Sequence, residues 1–308
     1  MCRHCGSGTV SVVRGIRWVA AALVGAAAAT GLTGCGAGSW CSPLEPGPSV
    51  TAEYAPTARR LEALPEVTKV TARYWQPDDS HCVSREYLKT AAWSADFTVK
   101  VRGGFTLEQV RAVRTALGSS RGTVVAAGGD GVAAWSLELA NPSGATPTSG
   151  AEPLLVDEQG YRLVTAAAAL PDVAVVQQTS STTIRVRHPA AMPAAATWLR
   201  AHVPASSSSW VSLGTAKDWT ASVGVTGGFG VSDELVATAA RVMTDHPALT
   251  EVSVSDASVS AVAPTRRQAE QVVAAFEQTP SDTVGQEVRA WWPDGNGTKV
   301  SGVVGSAR

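Results

Sequence analysis

The sequence predicts an α+β fold of three tandem α-β-β-α-β-β modules, each with two helices packed on a mainly antiparallel four-stranded sheet. Three observations lead there. A short motif recurs, as Leu64-Pro65-Glu66-Val67-Thr68-Lys69-Val70, as Leu170-Pro171-Asp172-Val173-Ala174-Val175-Val176 and more loosely as His246-Pro247-Ala248-Leu249-Thr250-Glu251-Val252. Each copy follows a helix-like stretch and opens a strand. Strands of period two, the mark of a half-buried sheet, come next: Phe97, Val99 and Val101, then Ile184 and Val186, then Val259, Ala261 and Ala263.

The helices preceding the motif are expected over 57–64, 158–169 and 232–245. The last of these places Ser232 as N-cap and Leu235, Val236, Ala239 and Met243 on one face. A second helix in each module is expected over 106–117, 190–202 and 265–278. Thr106 with Gln109 and Thr265 with Gln268 have capping-box spacing, and Pro193 suits the first turn of the middle helix. Each second helix leads to a hairpin: 122–139 around Gly129-Asp130-Gly131, 209–226 around Ala216-Lys217-Asp218, and 284–304 around Asn296-Gly297, a dipeptide suited to two-residue turns. Modules of this size bury a marginal core alone, so neighbours should pack together. The boundaries read as module 1 over 57–140, a linker over 141–156, module 2 over 157–226 and module 3 over 227–308. The alternation of helices and strand pairs resembles ferredoxin-like or BON-type envelope modules, a likeness of fold that assigns no activity.

Residues 1–34 read as a cleaved export signal. Arg14 and Arg17 precede the uncharged run from Trp18 to Leu32, which is too short to span a bilayer comfortably. Leu32-Thr33-Gly34-Cys35 resembles the bacterial lipobox. The resemblance implies that Cys35 receives a diacylglyceryl thioether, becomes the mature N-terminus after signal peptidase II cleavage, and holds the protein by acyl chains such as palmitate on the extracytoplasmic face of the cell membrane. Cys2 and Cys5 would leave with the signal, and initiation near Val12 or Val13 would give a signal of ordinary length. Residues 35–56, rich in Gly, Ser and Pro, read as the lipidated cysteine and a flexible tether.

Without residues 1–34 the chain loses three Arg and no acid, leaving 22 basic and 26 acidic residues and a formal charge of −4. That balance gives no electrostatic draw to nucleic acid. Twenty Arg against five Lys, with abundant Ala, Val and Gly, resembles translation from a high-GC, actinomycete-like genome. Cys41 and Cys82 remain as an even pair in an exported protein, which points to one disulfide. Cys82 beside His81 has the residue types of a catalytic thiol but no orienting partner, and Asp78, Asp79 and His81 read as a solvated loop.

The sequence carries no G-x-S-x-G elbow, P-loop, dinucleotide fingerprint or His-Glu-x-x-His, so no catalytic residue, metal ligand or cofactor is assigned. Gly103-Gly104-Phe105 and Gly227-Gly228-Phe229 suit tight strand-to-helix turns. Asp157-Glu158 and Asp233-Glu234 suit helix starts, where negative charge meets the dipole. Tryptophan is over-used, nine in the mature chain against four Phe and four Tyr. Trp135, Trp210, Trp219, Trp291 and Trp292 all fall in the expected hairpins. Trp291 and Trp292 are consecutive in one strand, so one faces the helices and the other the open side of the sheet, where an exposed Trp would mark a binding surface. The expected function is that of a non-catalytic envelope lipoprotein recognising a cell-wall component or envelope protein. The alternatives are a self-assembling structural protein and an envelope hydrolase whose site only the fold assembles.

Overall fold

The computed structural model describes residues 46–76, 92–129, 132–139, 152–214, 219–280, 285–293 and 297–306, with backbone alone for 152–155, 219 and 229. Cys35, Cys41 and Cys82 lie outside the described residues, as do His81, Asp78 and Asp79.

Six units of one helix and two strands follow one another. The first is α1 (Pro48–Glu62), β1 (Val67–Trp75) and β2 (Ser94–Val101); the second is α2 (Leu107–Leu117), β3 (Arg121–Ala126) and β4 (Ala134–Leu139). The third is α3 (Glu152–Ala168), β5 (Val173–Gln178) and β6 (Thr182–Val186); the fourth is α4 (Met192–His202), β7 (Ser209–Gly214) and β8 (Trp219–Thr226). The last two are α5 (Asp233–Asp245), β9 (Glu251–Val254) and β10 (Ser258–Val262), then α6 (Arg266–Glu277), β11 (Glu287–Trp291) and β12 (Lys299–Val303). Short 3-10 turns at Pro189–Ala191 and Gly227–Phe229 lead into α4 and α5.

The α+β class holds, with helices against a sheet. All twelve strands form one sheet, in sequence order from β1 to β12. Within each unit the strands pair antiparallel, and each unit joins the next through a parallel pair. Separate four-stranded sheets are therefore not what forms. Hydrogen bonding runs straight across both expected module borders, with Trp135 opposite Val176 between β4 and β5, and Ser222 opposite Ser253 between β8 and β9. The geometry of the elements explains why the repeat need not close on itself. Two strands span about 9.6 Å and packed helices stand about 8–10 Å apart, so one helix tiles one strand pair and the next unit fits alongside. A parallel join requires a crossover, which the helix supplies, and the buried residues that face one another across every strand pair, from Val99 and Val124 to Val259 and Val288, show that all six helices cover the same face.

The recurring motif marks only every second unit. In the first and third, Leu64 and Leu170 close the helix with N–H bonds to Leu61 and Ala167, and the carbonyls of Glu66 and Asp172 accept from Arg102 and Arg187 just past the second strand. Asp172 adopts φ 60°, a left-handed conformation that a short polar side chain tolerates. The second, fourth and sixth units join helix to strand by turns of other composition, so the sequence repeat is twice the structural one.

Helix caps form at the predicted residues. Thr106 and Gln109 make both halves of a capping box, with the Thr106 N–H donating to Gln109 Oε1 at 2.7 Å, and Ser232 and Thr265 accept from Leu235 and Gln268. The expected tether ends earlier than residue 56. Helix α1 begins at Pro48, where proline costs no hydrogen bond, and runs through Pro56. Its spacing of Val50, Tyr54, Thr57 and Leu61 turns an apolar face to the sheet, Leu61 is fully buried, and Tyr54 donates its hydroxyl to Trp93 O at 2.6 Å. Likewise α3 starts at Glu152, inside the expected linker.

One hydrophobic cluster runs the length of the sheet beneath the helices. Phe97, Val99, Val124, Leu137, Val176, Ile184, Val211, Val223, Val252, Val259 and Val288 are all at most 1% exposed. Alternate residues on these strands form the opposite face, which carries no helix among the described residues. No helix among the described residues is long and apolar enough to cross a membrane.

Candidate functional site

Two surfaces carry the chemistry, the helix-free face of the sheet and a cleft in the helix layer. On the face opposite the helices Arg185, Ser212, Ser222, Ser253, Ser260 and Arg289 stand in register across six adjacent strands. Arg185 and Ser212 are buried, and burial lowers the Arg185 pKa from its ordinary value. Trp291 lies on this face between Val262 and Lys299 and is half-buried, whereas Trp292 packs on the core beneath the helices. Trp135 is a core residue, Trp210 is half-buried, and Trp219 is described by its backbone alone. Phe105 is buried after Gly104, whose φ of 77° makes the tight turn, so this Gly-Gly-Phe segment serves packing.

Net charge conceals how the cations are placed. On the open face of β1 to β3, Lys69, Arg73, Lys100 and Arg121 are exposed and share the surface with one carboxylate, Asp96. Arg121 sits 5.6 Å over the Trp75 ring. Lys69 and Lys100 are direct cross-strand partners, an arrangement that costs stability. Replacing Lys100 by Glu should therefore raise stability by about 0.5 kcal/mol, read as a higher denaturant midpoint with unchanged slope.

At the far end of the sheet Glu287 accepts from Arg289 and, at 3.4 Å, from Lys299. The hydrogen bond from Arg289, reinforced by Lys299, holds its carboxyl at about 2, below the ordinary 4.5. A lowered folded-state value makes this group stabilising above the ordinary carboxylate range, an effect lost as pH falls from about 4.5 through about 2. An NMR titration should place the Glu287 midpoint near 2 in the native chain and move it up toward 4.5 in Arg289→Gln.

The helix layer is tied at both ends and open in its middle. Arg114 on α2 grips Asp157 on α3 through two bonds of 2.7 and 3.1 Å, and Arg111 pairs with Glu158 beside it. Arg200 on α4 pairs with Asp233 at the start of α5 and donates to Val231 O at 2.6 Å. Between these ties α3 and α4 stand apart, and the space is a cleft of about 630 Å³.

Helix α3 contributes Val156, Gly160, Arg162 and Leu163 to the cleft; the β5–β6 turn contributes Gln178 and the hydroxyl run Thr179 to Thr182. The opposite wall is Trp198 and His202 on α4, with Ser207 and Ser208 beyond. Trp198 and His202 lie one helical turn apart, so their rings meet, stacked at 4.2 Å with 12° between planes. His202 Nδ1 is 2.8 Å from Trp198 O. A carbonyl can only accept, so the neutral ring carries its proton on Nδ1 and presents a lone pair at Nε2.

Gly160 has a structural reason. A Cβ there would come within 2.3 Å of Gln178 Oε1, a buried oxygen without a hydrogen-bond partner. None of the described residues lining the cleft has a carboxylate, and no group of three or more His, Cys, Asp or Glu among the described residues is placed to hold a metal ion. Sequence reasoning missed this site. Two signals pointed to it: a glycine inside the helix pattern of α3, and an aromatic–histidine pair at i, i+4 on α4. Comparison of the chain with protein-family models, curated proteins and solved structures finds no match.

Proposed function

We propose that the protein is a lipid-anchored, extracytoplasmic binding protein of the cell envelope, held by acyl chains on Cys35 and acting without catalysis. The cleft between α3 and α4 is its binding site. One observation carries the second statement: α3 and α4 part to leave a volume within the ~300–1,000 Å³ common for small-molecule sites, with aromatic and polar groups converging on it. The lipobox residues Leu32-Thr33-Gly34-Cys35 support the anchor. Hydroxyls, an amide, one guanidinium and an imidazole suit recognition, and no nucleophile with an orienting base lines the space among the described residues.

Two measurements test this. Palmitate labelling in growing cells should mark the native chain and fail in Cys35→Ser, with the variant leaving the membrane fraction; label retained in Cys35→Ser overturns the anchor. A photo-crosslinking residue at Val156, which is 47% exposed at the cleft rim, should capture an envelope component that the same probe at Glu62 does not. Equal capture at both positions, or capture at neither, overturns the cleft as the site.

Self-assembly is the second reading, favoured by the two open sheet edges, β1 and β12. Lys69 and Arg73 on one edge strand and Lys299 on the other resist edge pairing, which makes it the weaker reading.

A further inference from the structure

We infer that the ligand of the α3–α4 cleft is a saccharide, seated on the outer face of the Trp198–His202 stack with a ring hydroxyl donating to Gln178 Oε1. This rests on the reading of the cleft as the binding site and names the chemical class it takes.

The lining sets the demand. Gln178 Oε1 is buried without a partner, and unpaired buried acceptors are costly enough to require a reason. Only a donor can satisfy it. With Nδ1–H committed to Trp198 O, the neutral tautomer of His202 that fits this bond has its complementary acceptor at Nε2. A ligand must therefore both donate and accept within one small volume. Hydroxyl arrays do this, and the serines and threonines of the β5–β6 turn and of Ser207 and Ser208 can pair with them in either sense.

The stack supplies the remaining feature. Trp198 is half-buried against the core, so the exposed His202 carries the outer face of the pair. A flat aromatic face suits the C–H face of a sugar ring. Charge excludes the main competitors. With no carboxylate among the described lining residues the cleft has nothing to hold a cationic group, and Arg162 as its one permanent charge is short of what a polyanion needs.

The test uses the full lipidated chain, purified in detergent and titrated calorimetrically with chitotetraose, cellotetraose and maltotetraose. At least one should bind with one-to-one stoichiometry. Affinity should fall about tenfold in Gln178→Leu, which removes the acceptor, and about tenfold in His202→Ala, which removes the platform. Both side chains are at least partly exposed, so both variants should keep the native melting temperature, which separates lost binding from lost fold. Sugar binding unchanged in both variants would overturn the placement. No binding of any of the three sugars, while the Val156 probe still captures an envelope component, would overturn the saccharide class and leave the cleft standing as a binding site.

Discussion

Asp157→Ala should destabilise the protein by about 3–5 kcal/mol, because it strips the partner from a buried guanidinium. Arg114 and Asp157 have side chains 9% and 3% exposed and meet in the two-point geometry that suits a guanidinium and a carboxylate. Arg114 Nη1 already lacks a hydrogen bond, and losing the carboxylate would also strip the partners of Nε and Nη2. The pair is not thereby a large net source of stability, since burying two ions has its own desolvation cost. The double replacement Arg114→Met with Asp157→Leu should accordingly lie within about 1 kcal/mol of the native protein. A double variant as unstable as Asp157→Ala would show that the shape of the site, rather than the stranded charge, sets the loss.

Trp135→Ala should cost about 3–5 kcal/mol, lowering the melting temperature by about 10 °C. The ring is 5% exposed on the helix side of β4. Tyr161 of α3 meets it edge-on at 5.8 Å and 81°, and Phe105, in the turn before α2, lies 6.5 Å away. Tyr161 in turn donates its hydroxyl to Phe105 O at 2.8 Å, so the cavity left by the indole would open beneath a bonded lid that cannot collapse freely. Trp291→Ala, by contrast, removes a half-buried ring from the open face and should cost far less. The comparison separates tryptophans that build the core from those that face outward. Equal losses in the two variants would contradict the assignment of Trp291 to the helix-free face.

Both large effects join the second unit to the third, across the border where the sequence suggests a linker. Local features of the chain were legible. Thr106, Ser232 and Thr265 announced helix starts because capping is chemistry between residues three apart, and period-two patterns announced strands. The continuity of the sheet was not legible. Phe97, Val99 and Val101 alternate in the same way whether their strand lies inside a small sheet or a large one, and the bonds between β4 and β5 join residues some forty positions apart. The Leu-Pro motif misled in a specific way, by marking alternate units and so doubling the apparent period. Pro48 and Pro56 misled in another, since counting Gly, Ser and Pro obscured the helical spacing of Val50, Tyr54 and Leu61.

The cleft divides along the same line. The Trp198–His202 pair is visible in sequence because its contact lies within one helical turn. The meeting of Gly160 with Gln178 is not, because it depends on α3 lying over β5. Charge followed suit: an overall balance near neutrality gave no hint that Lys69, Arg73, Lys100 and Arg121 share one corner of one face.

Amide hydrogen exchange, resolved by residue, tests the continuous sheet most directly. Successive N–H groups of a strand point to opposite neighbours, so a strand at the edge of a separate module would exchange every second amide quickly. In one continuous sheet the amides of β4, β5, β8 and β9 that bond across the two expected borders should exchange as slowly as those bonded within the hairpins of the same strands. Fast exchange of alternate amides in those four strands, with β1 and β12 no faster, would contradict it and restore three separate modules.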